Sequence, residues 1–181
     1  MTKQVSHSKI KSSSQRSESA FSINGKPIKE PIHTSKPVIK ILWVEDNIGD
    51  ILLIKEAFKE AGLTHRLNVV NDGAEAMAFL LRRRHFARAT RPDLIILDLN
   101  LPKKNGREVI SDIKADPSLF RIPLVVLTTS EYDQDVLAGY DPKRCLYLVK
   151  PTSFQAFVDL AKQIQSFWLS LPPFDSNPQL L

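Results

Sequence analysis

Apolar and polar positions change period along this chain at regular intervals. Val38-Ile-Lys-Ile-Leu-Trp-Val44 is a nearly unbroken apolar run, the signature of a strand buried on both faces. Residues 49–61 place Ile51, Ile54, Phe58 and Ala61 at helical spacing, and Gly62 follows as a stop signal. Arg66 to Val70 reads as a second strand. Asn71-Asp72-Gly73 turns the chain into a second helix through Ala76, Phe79 and Leu80. That helix runs into Arg82-Arg83-Arg84, and cations at a helix C-terminus suit the macrodipole. Leu94 to Leu97 is a third strand, branched and continuous. A third helix starts near Gly106 and stops before Pro117. Pro123-Leu-Val-Val-Leu-Thr128 is the fourth strand, and Glu131 to about Gly139 a weakly patterned fourth helix. Leu146-Tyr-Leu-Val-Lys150-Pro151 is the fifth strand, and residues 153–170 form the last helix.

Five alternations of strand and helix predict an α/β domain: a (βα)5 doubly wound, parallel five-stranded sheet with right-handed crossovers. The domain is expected over residues 37–171. Residues 1–36 are rich in Ser, Lys and Gln without periodicity, and are expected to be a disordered basic extension. Residues 172–181 form a Pro-rich tail.

Charge changes this picture only at the edges. The chain of 181 residues has a net charge of +5. Residues 1–36 carry seven Lys/Arg and two Glu, whereas the remainder carries 18 basic and 18 acidic residues. The excess belongs to the extension, so it does not mark the folded part as a nucleic-acid binder. Cys145 stands alone, which excludes an intrachain disulfide and a multi-cysteine metal site. There is no 18-residue apolar run and no secretory signal, so no membrane span and a cytoplasmic location are expected.

The strand ends carry the candidate chemistry. Strand one ends in Glu45-Asp46, strand three in Asp98, strand four in Thr128 and strand five in Lys150-Pro151. In a doubly wound sheet these ends converge on one edge, where ligands bind. Singly, each has an ordinary explanation: a helix cap in Glu45-Asp46-Asn47, a loop-capping Asp98, a strand threonine, a solvated lysine. Together they describe three carboxylates that would repel one another without a hard cation such as Mg²⁺. Lys150 adds a positive point charge suited to phosphate, Thr128 a short hydroxyl, and Asp98 a nucleophile for an aspartyl phosphate.

This constellation resembles the receiver domain of bacterial two-component response regulators, over residues 38–170. The resemblance implies the flavodoxin-like receiver fold, with Asp98 as phosphoacceptor and a histidine kinase as phosphoryl donor. It implies Mg²⁺ held by Asp46, Asp98, the Asn100 backbone carbonyl and, through water, Glu45. It also implies Thr128 and Lys150 as phosphate-binding residues, and Tyr147 as the aromatic that follows the hydroxyl. A receiver of this kind is not an enzyme with a separate substrate; it catalyses only its own phosphorylation and dephosphorylation. Leu-Asn-Leu-Pro-Lys-Lys-Asn-Gly-Arg-Glu-Val, Val-Val-Leu-Thr-Thr-Ser and Phe167-Trp168-Leu169 are further similar to the small regulators of cyanobacterial phytochromes, which implies a phytochrome-type kinase partner. Gly139-Tyr-Asp-Pro-Lys-Arg-Cys145 departs from that pattern, and Trp43 is bulky for its position.

No pattern fits a DNA-binding output domain, so signalling is expected through the face of the fourth helix, fifth strand and last helix. On the last helix Phe154, Phe157, Val158, Ala161, Ile164 and Trp168 share one face, and Leu160, Phe167 and Leu171 widen it. The apolar arc spans about 200° where a surface helix needs about 100°, which points to a partner face and a homodimer. The rival reading is a non-phosphorylated pseudo-receiver that acts as a docking module. A nucleotide-binding protein would want a Gly-rich loop after strand one, and Glu-Asp-Asn-Ile-Gly is not one.

Overall fold

The structure, a computed structural model, describes residues 38–129 and 133–172. The expected basic extension over residues 1–36 lies outside these, as does the expected tail beyond Pro172.

Five strands form one parallel sheet: β1 (Ile39–Val44), β2 (His65–Val70), β3 (Leu94–Leu97), β4 (Leu124–Thr128) and β5 (Cys145–Val149). Their order is β2-β1-β3-β4-β5. The near-continuous apolar runs of β1, β3 and β4 occupy the centre, as strands covered on both faces must. The helices are α1 (Ile48–Glu60), α2 (Gly73–Leu80), α3 (Gly106–Ala115), α4 (Pro117–Phe120) and α5 (Phe154–Ser170).

The period-two alternation of the strands sends their side chains into two layers. Ile41, Trp43, Leu94, Ile96, Val125 and Leu127 pack beneath α1 and α5. Leu42, Val44, Ile95, Leu97, Leu124 and Val126 pack beneath α2, α3 and α4. Trp43 is fully buried in the first layer, beside Phe58 and Phe157, so its bulk fills space between two helices. Asp93 ties the sheet at its lower edge. It accepts from the Lys40 N–H at 2.9 Å and pairs with the Lys40 ammonium at 3.2 Å.

Helix starts are set by side chains that satisfy otherwise unpaired amides. Asn47 Oδ1 accepts from the Gly49 and Asp50 N–H groups at 2.8 and 3.3 Å. Asp72 accepts from Glu75 N–H at 2.7 Å. Asn105 and Glu108 form a reciprocal capping box on α3. Gly62, just past α1, has φ +66°, a left-handed position that favours glycine.

Two expectations need correction. Helix α2 ends at Leu80, so Arg82-Arg83-Arg84 lie beyond it. Arg82 and Arg84 have φ of 52° and 55°, and Arg84 opens a short 3-10 turn to Phe86. The expected fourth helix, Glu131 to Gly139, is a single 3-10 turn over Gln134–Leu137 among the described residues; Glu131 itself lies outside them. The Lys114 ammonium, on the last turn of α3, takes the carbonyls of Val136 and Ala138 at 3.0 and 2.6 Å. Gly139, at φ +85°, then ends the turn. The divergent 139–145 loop is anchored by Tyr140, which is buried against Phe120 with ring centroids 4.8 Å apart.

Candidate functional site

Strands β1 and β3 are neighbours, but the chain leaves them in opposite directions, toward β2 and β4. A crevice opens at such a reversal, beyond the carboxyl ends of the strands. Val44 is in register with Leu97, so the residues that follow, Glu45 and Asp98, are delivered side by side. The Asp98 N–H donates to Val44 O at 3.1 Å, and the Glu45 N–H to Val70 O at 3.0 Å. Glu45 is completely buried, Asp98 nearly so, and Asp46 is exposed at the mouth.

Carboxylate oxygens of Glu45, Asp46 and Asp98 lie within 4.8 Å of one another. Lys150 reaches into the same cluster from the end of β5, because its N–H donates to Thr128 O at 2.8 Å and so extends the β4–β5 ladder. Its Nζ lies 2.7 Å from Asp98 Oδ2 and 2.8 Å from Glu45 Oε2. The sequence pattern missed a third partner, Asp50 Oδ2, at 3.0 Å. Asp50 sits in the first turn of α1, where acidic residues are common for helix-dipole reasons, so nothing in its position marked it out.

The electrostatics follow from burial and pairing. Burial pushes the Glu45 carboxyl above its ordinary range, against the opposing pull of Lys150 and the Asn47 amide. Burial works against the Lys150 ammonium, but its pairing with Asp98, Glu45 and Asp50 outweighs that and holds its pKa above the usual lysine value. Three carboxylates thus pair with one ammonium, and Asp46 adds a fourth negative charge to the cluster. The surplus of negative charge, presented entirely on oxygen, suits a hard divalent cation. Glu45 Oε2 strengthens the fit: it is buried, and Lys150 meets it as an ion pair without a directed hydrogen bond.

The remaining expected residues arrive with different clarity. Thr128, the last residue of β4, is fully buried. Its neighbour Thr129 is exposed, and its hydroxyl accepts from the Asn100 side-chain amide at 3.3 Å. The Asn100 N–H donates to Asp98 Oδ1 at 3.0 Å, which fixes the Asp98 carboxylate from the loop side. Tyr147 is half-buried next to Val126, and its hydroxyl accepts from the Asp133 N–H at 3.3 Å. Arg107 on α3 pairs with Asp133 and, at 3.4 Å, with Asp135, so the turn after β4 is held from two sides.

The partner face on the last helix needs correcting. Leu160 is buried in the core beneath α5 and offers nothing to a partner, whereas Phe154 is 45% exposed. Phe167 and Leu171 are half-buried, and Leu169 is exposed. Helix α5 packs against α1, and Leu160 joins the buried cluster that the two helices share with the sheet.

A parallel five-stranded sheet with an acid cluster and a lysine at its carboxyl edge defines a receiver, and the chain belongs to the response regulator receiver domain family, whose model matches residues 41–162. Among known proteins, it is similar to the response regulator Rcp1 of Synechocystis sp., at 45% identity over 75% of this chain and 92% of that one. It also matches the probable methanogenesis regulatory protein FilR2 of Methanothrix harundinacea, at 40% identity over 71% of this chain and 83% of that one. Among solved structures, the phosphorylated cyanobacterial phytochrome response regulator RcpA matches with a TM-score of 0.65 and 48% identity, over 74% of this chain and 96% of that one. The Mn²⁺-bound form of Rcp1 matches with a TM-score of 0.64 and 45% identity, over 72% and 94%. No described helix is long and apolar enough to cross a membrane.

Proposed function

We propose that this receiver accepts a phosphoryl group on Asp98 from a phosphohistidine of a phytochrome-type kinase. The carrying observation is the meeting of Asp98 with Lys150 at 2.7 Å inside the Glu45–Asp46–Asp98 cluster. The likeness to RcpA and Rcp1 supports the kinase class. Mg²⁺ is the proposed cation, held by Asp46, Asp98 and the Asn100 carbonyl, with Glu45 acting through water. When bound, it supplies positive charge that offsets the phosphoryl oxygens.

The chain's own residues do the rest. An Asp98 carboxylate oxygen attacks phosphorus and forms an O–P bond as the N–P bond of the donor breaks. The electron pair returns to the imidazole, which ends neutral after taking a proton. Lys150 pairs with a phosphoryl oxygen, and Thr128 offers its hydroxyl to another. The Asn100 N–H steadies the Asp98 oxygen that is not transferred to. Hydrolysis reverses the bond change with water as acceptor, so the chain turns over no separate substrate. Movement of Thr128 toward the phosphoryl group would free space for Tyr147 and release its contact with Asp133, which carries the signal to the β5–α5 surface. Phe167 and Leu171 on that surface would join two copies, with the reaction taking place in the cytoplasm.

Intact-protein mass in Mg²⁺ and acetyl phosphate tests this reading on the native protein and on Asp98→Asn. A phosphoryl adduct on the native chain only, lost with EDTA, is expected. No adduct from small donors or from a kinase would leave a docking module instead.

A further inference from the structure

Lys150 is held by three carboxylates, and these differ in what the transfer does to them. An ammonium has three N–H donors, and Asp98, Glu45 and Asp50 surround it at 2.7, 2.8 and 3.0 Å. Asp98 gives an anionic oxygen to phosphorus. Glu45 belongs to the cation cluster. Asp50 lies outside the set of oxygens that converge within 4.8 Å, and its charge is the same before and after transfer. Its place is fixed by the backbone, because Asn47 Oδ1 accepts from the Asp50 N–H at 3.3 Å and sets the first turn of α1. Its side chain remains 22% exposed.

We propose that Asp50 is a positioning residue for Lys150: it keeps the ammonium aimed at Asp98 and the incoming phosphoryl group while the other two carboxylates change partners. The inference rests on Asp98 being the phosphoacceptor. No bond to Asp50 forms or breaks. Its contribution is orientation, since a lysine on a flexible four-carbon stem has many rotamers and one constant partner restricts them. Shared contact with one ammonium also keeps Asp50 Oδ2 within about 6 Å of Asp98 Oδ2, close enough for the two carboxylates to sense each other.

Two measurements on the full chain test it. In the metal-free protein, nitrogen-15 NMR reads the Lys150 ammonium, whose exchange with water slows when its N–H groups are hydrogen-bonded to Asp98 and Asp50 and it is paired with Glu45. Asp50→Asn is expected to speed that exchange about fivefold or more, and Asp50→Glu to retain the slow signal. A native Lys150 signal that exchanges like an exposed lysine, or one unchanged by Asp50→Asn, overturns the proposal. With Mg²⁺ and acetyl phosphate, Asp50→Asn is expected to lower the saturating phosphorylation rate roughly fivefold to tenfold. The donor concentration for half-saturation should stay within about twofold, and Asp50→Glu should recover most of the rate. In a Lys150→Gln background the same change should have no further effect; an equal loss there would show general electrostatics and refute positioning. Should the native chain take up no phosphoryl group, the phosphoacceptor reading fails, and the NMR arm alone decides the role of Asp50.

Discussion

Gly106→Ala separates local preference from tertiary fit. Gly106 is the first residue of α3, with φ outside the left-handed region. By helix propensity and chain entropy alone, alanine there would stabilise the fold by about 0.5–1 kcal/mol. The tertiary structure reverses the sign. A Cβ at this position would lie 2.4 Å from Asp98 O, 2.6 Å from Leu99 Cα and 3.1 Å from the Asp98 carbonyl carbon, against ordinary contacts of 3.4–4 Å. All three are backbone atoms, and the Gly106 N–H is bonded to Leu99 O at 3.0 Å, so neither side can yield by rotating a side chain. Overpacking of this kind costs about 1–3 kcal/mol. Subtracting the local gain leaves a net loss of about 0–2.5 kcal/mol, centred near 1 kcal/mol, a fall in Tm of roughly 3–5 °C at the centre of that range. The backbone that must move carries Asp98, and a shift of about 1 Å at a reacting group costs on the order of 100-fold in rate. Urea unfolding and phosphorylation by acetyl phosphate, followed by intact mass, measure both effects. A variant as stable as the native chain that is phosphorylated at the native rate would refute the close-approach argument. A loss of stability with an unchanged rate would show that α3 moves away and the Asp98 loop stays.

Other consequences are simpler to state. Asp72→Ala removes the α2 cap and the partner of Lys103, and should cost about 1–2 kcal/mol in urea unfolding at neutral pH. Burial opposes the Asp72 charge, but Lys103 and the Glu75 amide outweigh it and lower its pKa. The stability it contributes is therefore present above the ordinary aspartate pKa and is lost as pH falls through the folded value, so native and variant should converge in acid. The raised Glu45 pKa has the opposite sign: folding is favoured with Glu45 protonated, and that contribution fades as pH rises through the folded value. If the site holds Mg²⁺ with help from the Glu45 carboxylate, as proposed, calorimetric affinity should weaken on acidification at a pH above that of an ordinary glutamate; a midpoint at the ordinary value would contradict the burial argument. If Phe167 and Leu171 join two copies, Phe167→Ser should shift sedimentation toward the monomer without changing phosphorylation of Asp98.

The sequence by itself determined the sheet and most of its helices, because long apolar runs and strong caps leave few alternatives. Leu94 to Leu97 reads as a central strand, and the helix expected from near Gly106 begins there. It also determined that Glu45, Asp46, Asp98, Thr128 and Lys150 share an edge, since parallel strands deliver their ends to one side. What the tertiary structure decided lies in contacts distant along the chain. Asp50 meets Lys150 across 100 residues of sequence, and no local pattern encodes that approach. The stretch after Gln134 became one 3-10 turn because Lys114, on another helix, takes its carbonyls. Leu160 and Phe154 carry similarly apolar side chains, and only the packing of α5 in the tertiary structure buries one and exposes the other. Periodicity fixes which residues share a face; the angle at which helices pack fixes which part of that face water still reaches.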